Sequence, residues 1–139
     1  MNNRIQLPRE LVNQLLQQAQ SSPDMEICGL IGGHHNSATS CYPVKNVAEN
    51  PGHRFWMDPK QQITAMRNMR EKQESLFAIY HSHPDAPPEP SATDLETANY
   101  PETLQIIISL NIKGVLEMRG FFLRDNNQVE EVTLTLKTN

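Results

Sequence analysis

The chain has 139 residues, 37% of them hydrophobic and 20% charged, with a formal net charge of −4. That is one domain's worth of ordinary globular sequence, long enough to bury a core without disulfides or a structural metal. The acidic balance, with a pI of about 5.7 and no Lys/Arg cluster, argues against nucleic acid as a partner.

Nothing approaches the ~18 consecutive apolar residues of a membrane span. The opening Met1–Gln20 stretch lacks the apolar run of a signal peptide. Cys28 and Cys41 are too few for a disulfide framework. The expectation is a soluble, cytoplasmic, reduced protein with one domain over residues 1–139.

Taken in chain order, Leu11, Val12, Leu15, Leu16 and Ala19 recur at helical spacing behind Pro8, and Ser21 to Asp24 break that helix. Glu26 to Gly32 read as a short buried strand thinned by glycines. His34 to Ser37 read as a turn, and Cys41 to Val47 as the returning strand. Asp58-Pro59 opens a second helix, with Ile63, Met66 and Met69 as its apolar stripe and an end near Glu74. Leu76 to His83 form a strand that stops at Pro84. Ser91 starts a short helix reaching Asn99. Leu104–Leu110, Val115–Leu123 and Val129–Leu136 are three further strands, separated by turns at 111–114 and 125–128. In the last of them Val132, Leu134 and Leu136 should share one buried face. The fold class is α/β (α+β), a largely antiparallel sheet with helices at the N-terminus and in the middle.

The chemistry concentrates between Tyr80 and Asp94. Residues two apart on a strand point to one face, so His81 and His83 can aim both imidazoles at one point. Phe77 and Ile79 should continue that face as apolar support. Asp94 lies on the first turn of the next helix, where it can face back to the pair. Two imidazoles and one carboxylate leave a fourth position open, as in catalytic zinc sites. A plainer explanation stands beside this one: Ser91-Ala92-Thr93-Asp94 also matches a helix capping box, which needs no metal. Taken alone, Glu26 is a solvated carboxylate at a strand start. If it is buried with Ile27 and Cys28, its pKa rises and suits a general base. Cys28 reads as a small buried hydrophobe rather than a nucleophile. His34-His35 and His53 read as loop histidines, and Met57, Met66 and Met69 as core filler.

Together, Glu26 to Gly32, His81-Ser82-His83-Pro84 and Ser91-Ala92-Thr93-Asp94 resemble the JAMM (MPN-plus) metallopeptidases. Their pattern is a distant glutamate, His-x-His, ten residues and Asp, with Ser three before it, and every element is present. Asn46, Asn50-Pro51, Phe55 and Asp58-Pro59 resemble the family's middle region. The resemblance implies a cytidine-deaminase-like fold and a Zn2+ site of His81, His83 and Asp94. It also implies Glu26 as the base that takes a proton from the attacking water, and Ser91 as a donor to the developing oxyanion. The chain is short, like stand-alone bacterial members associated with ubiquitin-like sulfur carrier proteins. The implied reaction is cleavage after a carrier's C-terminal Gly-Gly, whose slim tail can thread a narrow cleft. The alternative is a catalytically silent scaffold of the same fold that binds a protein partner, although such scaffolds typically lack ligands present here. A nucleobase deaminase would need a Cys-x-x-Cys pair, which is absent. Oligomeric state is left open.

Overall fold

A computed structural model of the chain describes residues 4–137. The first half holds β1 (Arg4–Leu7), α1 (Arg9–Gln20), β2 (Cys28–His34), β3 (Ser37–Val44) and α2 (Pro59–Glu71). The second holds β4 (Ser75–His83), α3 (Ala92–Thr97), β5 (Leu104–Ser109), β6 (Glu117–Leu123) and β7 (Val129–Leu136). All the strands join one seven-stranded sheet in the order β1-β7-β6-β5-β4-β2-β3. The β4/β5 and β1/β7 pairs are parallel and the other pairs antiparallel, so the sheet is largely antiparallel as expected.

The two faces of the sheet carry different cargo. One face packs Ala78, Tyr80, Ile106 and Ile108 against Leu11, Leu15 and Ala19 of α1. The other packs Leu30 and Ile79 against Ala65 and Met69 of α2, with Met57 and Met66 filling in beside them. The apolar stripe of α2 therefore runs through Ala65 and Met69. Ile63, expected on it, is 61% exposed. Gly29 is required where β2 passes the aromatic ring of Tyr80. A Cβ there would run into the Tyr80 hydroxyl and lie 2.6 Å from the Tyr42 carbonyl oxygen.

Several boundaries differ from the sequence expectation. β1 was not expected; its four residues are too few to show a period. β2 starts at Cys28 rather than Glu26, and β3 starts at Ser37 rather than Cys41. The intervening turn is tight because His35 and Asn36 both take positive φ, 48° and 67°. α2 stops at Glu71, closed by Gln73 at φ 61°. Glu74 instead accepts hydrogen bonds from the hydroxyls of Thr39, Ser40 and Tyr42. α3 ends at Thr97. β5 ends at Ser109 and β6 starts only at Glu117. Leu136 is 43% exposed, because β7 pairs with β6 only through Val132 and thereafter with the short β1.

One expectation about the site face is corrected. Ala78 pairs with Ile31 and Leu76 with Gly32, so Phe77 is an extra, bulged residue. The bulge turns Phe77 to the α1 side of the sheet, and only Ile79 continues the histidine face.

Candidate metal centre and active site

The site sits on the α2 face of β4, a strand flanked on both sides. His81 pairs with Cys28 of β2 and Ile107 of β5, so its backbone is fixed from two directions. His81 and His83 are 2% and 3% exposed, and Asp94 is 7% exposed on the first turn of α3. The structure brings the three together. The His81 Nε2 lies 3.2 Å from the His83 Nε2 and 3.1 Å from the Asp94 Oδ2, and the His83 Nε2 lies 3.2 Å from the same oxygen. The capping box is also present. The Asp94 N–H donates to the Ser91 hydroxyl at 3.0 Å, and the Ser91 N–H donates to the Asp94 Oδ2 at 2.9 Å. The cap and the ligand readings of Asp94 are thus one geometry: the cap aims the carboxylate at the histidines.

The chemistry of this donor set fits a cation. The His83 Nδ1 lies 2.8 Å from the Pro87 carbonyl oxygen, which can only accept, so Nδ1 carries the hydrogen. A neutral His83 then presents a lone pair at Nε2, facing the Asp94 oxygen. Two acceptors 3.2 Å apart need a proton or a metal ion between them. Burial opposes charging His83, but Asp94, Pro87 and Glu26 outweigh it and raise its pKa. Burial likewise opposes an ionised Asp94, yet hydrogen bonds from His81, His83 and Ser91 hold its carboxyl well below the usual carboxylate range.

Glu26 completes the cluster from just before β2. Its carboxylate and the two imidazoles offer ligand atoms within 4.8 Å of one another. It is 4% exposed, and its Oε1 is buried without a hydrogen-bond partner. Burial pushes it up from 4.5 to about 8, opposed by His83 and supported by Asp94 and Asp85. A buried carboxylate with an open oxygen beside two imidazoles can relay protons or bind a cation. Cys28 is inert by contrast. Burial, helped by the Glu26 charge, raises its thiol to about 12. Cys28 and Cys41 are both free.

Four groups that fix this arrangement were not assigned roles from sequence. Asn46 uses all its hydrogen-bonding capacity. Its Nδ2 donates to the carbonyls of Glu26 and Arg54, and its Oδ1 accepts from the N–H groups of Ala48 and Trp56. Ser82, between the two histidines, accepts from the Ile27 N–H at 2.9 Å, and its own N–H donates to the Ile27 carbonyl. The residue after Glu26 is thereby tied to the residue between the histidines. Phe55 stacks on the His81 ring at 4.5 Å. Ser109 donates to the Ala86 carbonyl at 2.6 Å, anchoring the proline-rich loop whose next carbonyl holds His83. In the sequence, Asn46 and Phe55 belong to the stretch that resembles the family's middle region and Ser82 lies between two candidate ligands, whereas Ser109 gives no signal.

Comparison with known proteins identifies the family. Residues 8–122 match the family described as prokaryotic homologs of the JAB domain. A desampylase of Haloferax volcanii is 33% identical over 66% of this chain and 67% of its own. A CysO-cysteine peptidase of Mycobacterium tuberculosis is 27% identical over 88% of this chain and 84% of its own. A solution structure from Desulfitobacterium hafniense superposes with a TM-score of 0.85 at 32% identity, covering 97% of this chain and 94% of that one. With a matching fold and a buried His/His/carboxylate centre, the chain belongs to the prokaryotic JAB-domain family of JAMM-type hydrolytic peptidases.

Proposed function

We propose that the chain is a zinc metallopeptidase that hydrolyses the peptide or isopeptide bond after the C-terminal Gly-Gly of a ubiquitin-like sulfur carrier protein. The observation that carries this reading is the convergence of the His81 and His83 imidazoles on the Asp94 carboxylate, with the open Glu26 oxygen beside them. His81, His83 and Asp94 would hold the zinc. Zinc supplies Lewis acidity at such a centre, acidifying water to near neutrality and polarising a carbonyl. Glu26, already biased toward holding a proton, takes one from the attacking water and returns it to the leaving amine. The Ser91 hydroxyl accepts from the Asp94 N–H, which leaves its own hydrogen free to donate to a developing oxyanion. The relatives named desampylase and CysO-cysteine peptidase support a protein-carrier substrate.

The test mixes zinc-loaded protein with carriers ending in Gly-Gly-Cys and follows their mass. Loss of the cysteine supports the reading, and no cleavage across several carriers overturns it. One bound zinc, lost together with activity in His83→Ala, identifies the ligand set. Metal-free protein that still binds a partner would establish the scaffold instead. Glu26→Gln should keep its zinc and lose turnover by roughly 10²–10⁴-fold; loss of zinc would make Glu26 a ligand and overturn its role as base.

A further inference from the structure

Beside the metal centre lies a cavity of about 310 Å³, bordered by His81 and Asp94 themselves. Leu123 and Gln105 form part of its floor. Phe55 and Trp56 line it on the α2 side, and Ala98 and Tyr100 on the α3 side. It has room for one amino-acid residue rather than a large ligand.

Gln105 is the unexplained group. It lies on β5, paired with Ile79 and Phe121. Its neighbours Leu104 and Ile106 pack on the α1 side, which turns Gln105 to the opposite face. It is only 7% exposed, yet its carboxamide has no hydrogen-bond partner among the described residues. Neither polar atom of its tip is sealed from solvent, so the little of Gln105 that is exposed includes the carboxamide. Here it faces a cavity that a ligand can enter.

The lining defines that ligand. Aromatic and aliphatic walls favour an apolar stem. No lysine or arginine borders the cavity, so no side chain of the lining pairs with an entering carboxylate. An entering ammonium finds the Asp94 Oδ2 already engaged by His81, His83 and the Ser91 N–H, and a zinc ion held by the same residues would repel it. A neutral tip that both donates and accepts is the complement of Gln105. Because the cavity reaches two candidate ligands, the side chain filling it belongs to a residue next to the scissile bond. A Gly-Gly tail contributes no side chain on its own side of that bond.

We propose that this cavity is the subsite for the leaving residue and selects a neutral side chain with an apolar stem and a carboxamide tip, best met by glutamine and read by Gln105. The proposal rests on the reading that a Gly-Gly tail is cut at the His81–His83–Asp94 cluster. Trp56, the sole tryptophan of the chain, stands on the cavity wall and reports occupancy without any turnover.

The experiment titrates the zinc-loaded protein with glutaminamide, leucinamide, lysinamide and aspartic acid α-amide, reading Trp56 fluorescence. Glutaminamide should half-saturate the change at about tenfold lower concentration than leucinamide, the worth of one good hydrogen bond. Gln105→Met should abolish or reverse that preference, and Gln105→Leu serves if the methionine variant does not fold. Equal half-saturation by the glutamine and leucine amides, an unchanged order in the variant, or no Trp56 response to any amide would overturn the subsite. A parallel arm measures cleavage of carriers ending in Gly-Gly-Gln and Gly-Gly-Leu. Selective glutaminamide binding with no carrier cleaved overturns the reaction and with it the leaving-residue role, and leaves a glutamine-selective cavity standing. Cleavage at equal rates for both tails overturns the subsite and leaves the reaction standing.

Discussion

Glu26 is the residue whose environment is most at odds with its charge. In the metal-free protein, burial raises its pKa from 4.5 to about 8, so the folded chain holds this proton more tightly than the unfolded chain does. Its contribution to stability is fully present below pH 4.5 and is lost as pH climbs through about 8. Chelated wild-type protein should therefore lose stability relative to Glu26→Gln over that window, and urea titrations at several pH values check it. A difference between the two proteins that does not change with pH would mean that Glu26 is not held neutral. Ser82 carries a second consequence. Ser82→Ala leaves the Ile27 N–H without its acceptor and loosens the segment bearing Glu26. Zinc content should be unchanged while kcat falls about tenfold or more at constant KM, a split that simple loss of folded protein would not produce. Legibility in the sequence followed distance along the chain. His81 and His83 were readable from strand period alone, because two residues define a face. Asp94 could be read either as a cap or as a ligand; the cap is present, and it aims the carboxylate at the two histidines. Glu26 came mainly from family resemblance, because Ile27 and Ser82, which join the two segments, are fifty-five positions apart. Gln105 gave no signal, because one polar residue in an apolar strand looks like noise until the cavity is seen.

Among the elements, α3 shows how a short helix can serve a site. Its six residues are too few to be stable alone, so the cap at Ser91 and the packing of Leu95 and Ala98 against Ile107, Phe121 and Leu123 hold it in place. Ser91→Ala removes the hydroxyl that accepts from the Asp94 N–H, at a cost of about 1 kcal/mol in stability. Because the same cap aims Asp94, the variant should also bind zinc more weakly, and Ser91→Thr, which keeps the cap oxygen, should restore it. Zinc competition against a chelator measures this. Equal zinc affinity in the alanine variant would separate the cap from the site. Elements with a full period were legible: α1 and the apolar core of β5 lie where the pattern put them, and α2 starts at Pro59 as expected although its buried stripe runs through Ala65 rather than Ile63. The bulge at Phe77 was not, since a strand's alternation gives no sign of an inserted residue when both faces are apolar. β1 was hidden for a different reason. It exists because β7 offers an edge, and no local pattern encodes a partner more than a hundred residues away.

At the scale of the whole molecule, the first and last strands pair at one edge of the sheet while the candidate site stays near its middle. Arg4 pairs with Thr133 and Leu7 with Leu136, and the Lys137 N–H donates to the Leu7 carbonyl. Leu7 is 1% exposed within the cluster that holds α1 to the sheet. The candidate metal centre lies on the opposite face and draws on β4, α3 and the segment before β2. Damage at Leu7 should therefore weaken the fold without reaching the site. Leu7→Ala deletes a buried side chain and should cost about 2–5 kcal/mol. A ligand that binds only the folded state adds RT ln(1 + [L]/Kd), whatever the starting stability. Urea unfolding of wild type and Leu7→Ala, each with zinc and with chelator, separates the two effects. The variant's midpoint should fall in both conditions, while the stability gained from a fixed zinc concentration stays equal in the two proteins. A smaller zinc increment in Leu7→Ala would mean that packing at the chain ends does reach the His81–His83–Asp94 geometry, and that the two faces of the sheet are coupled.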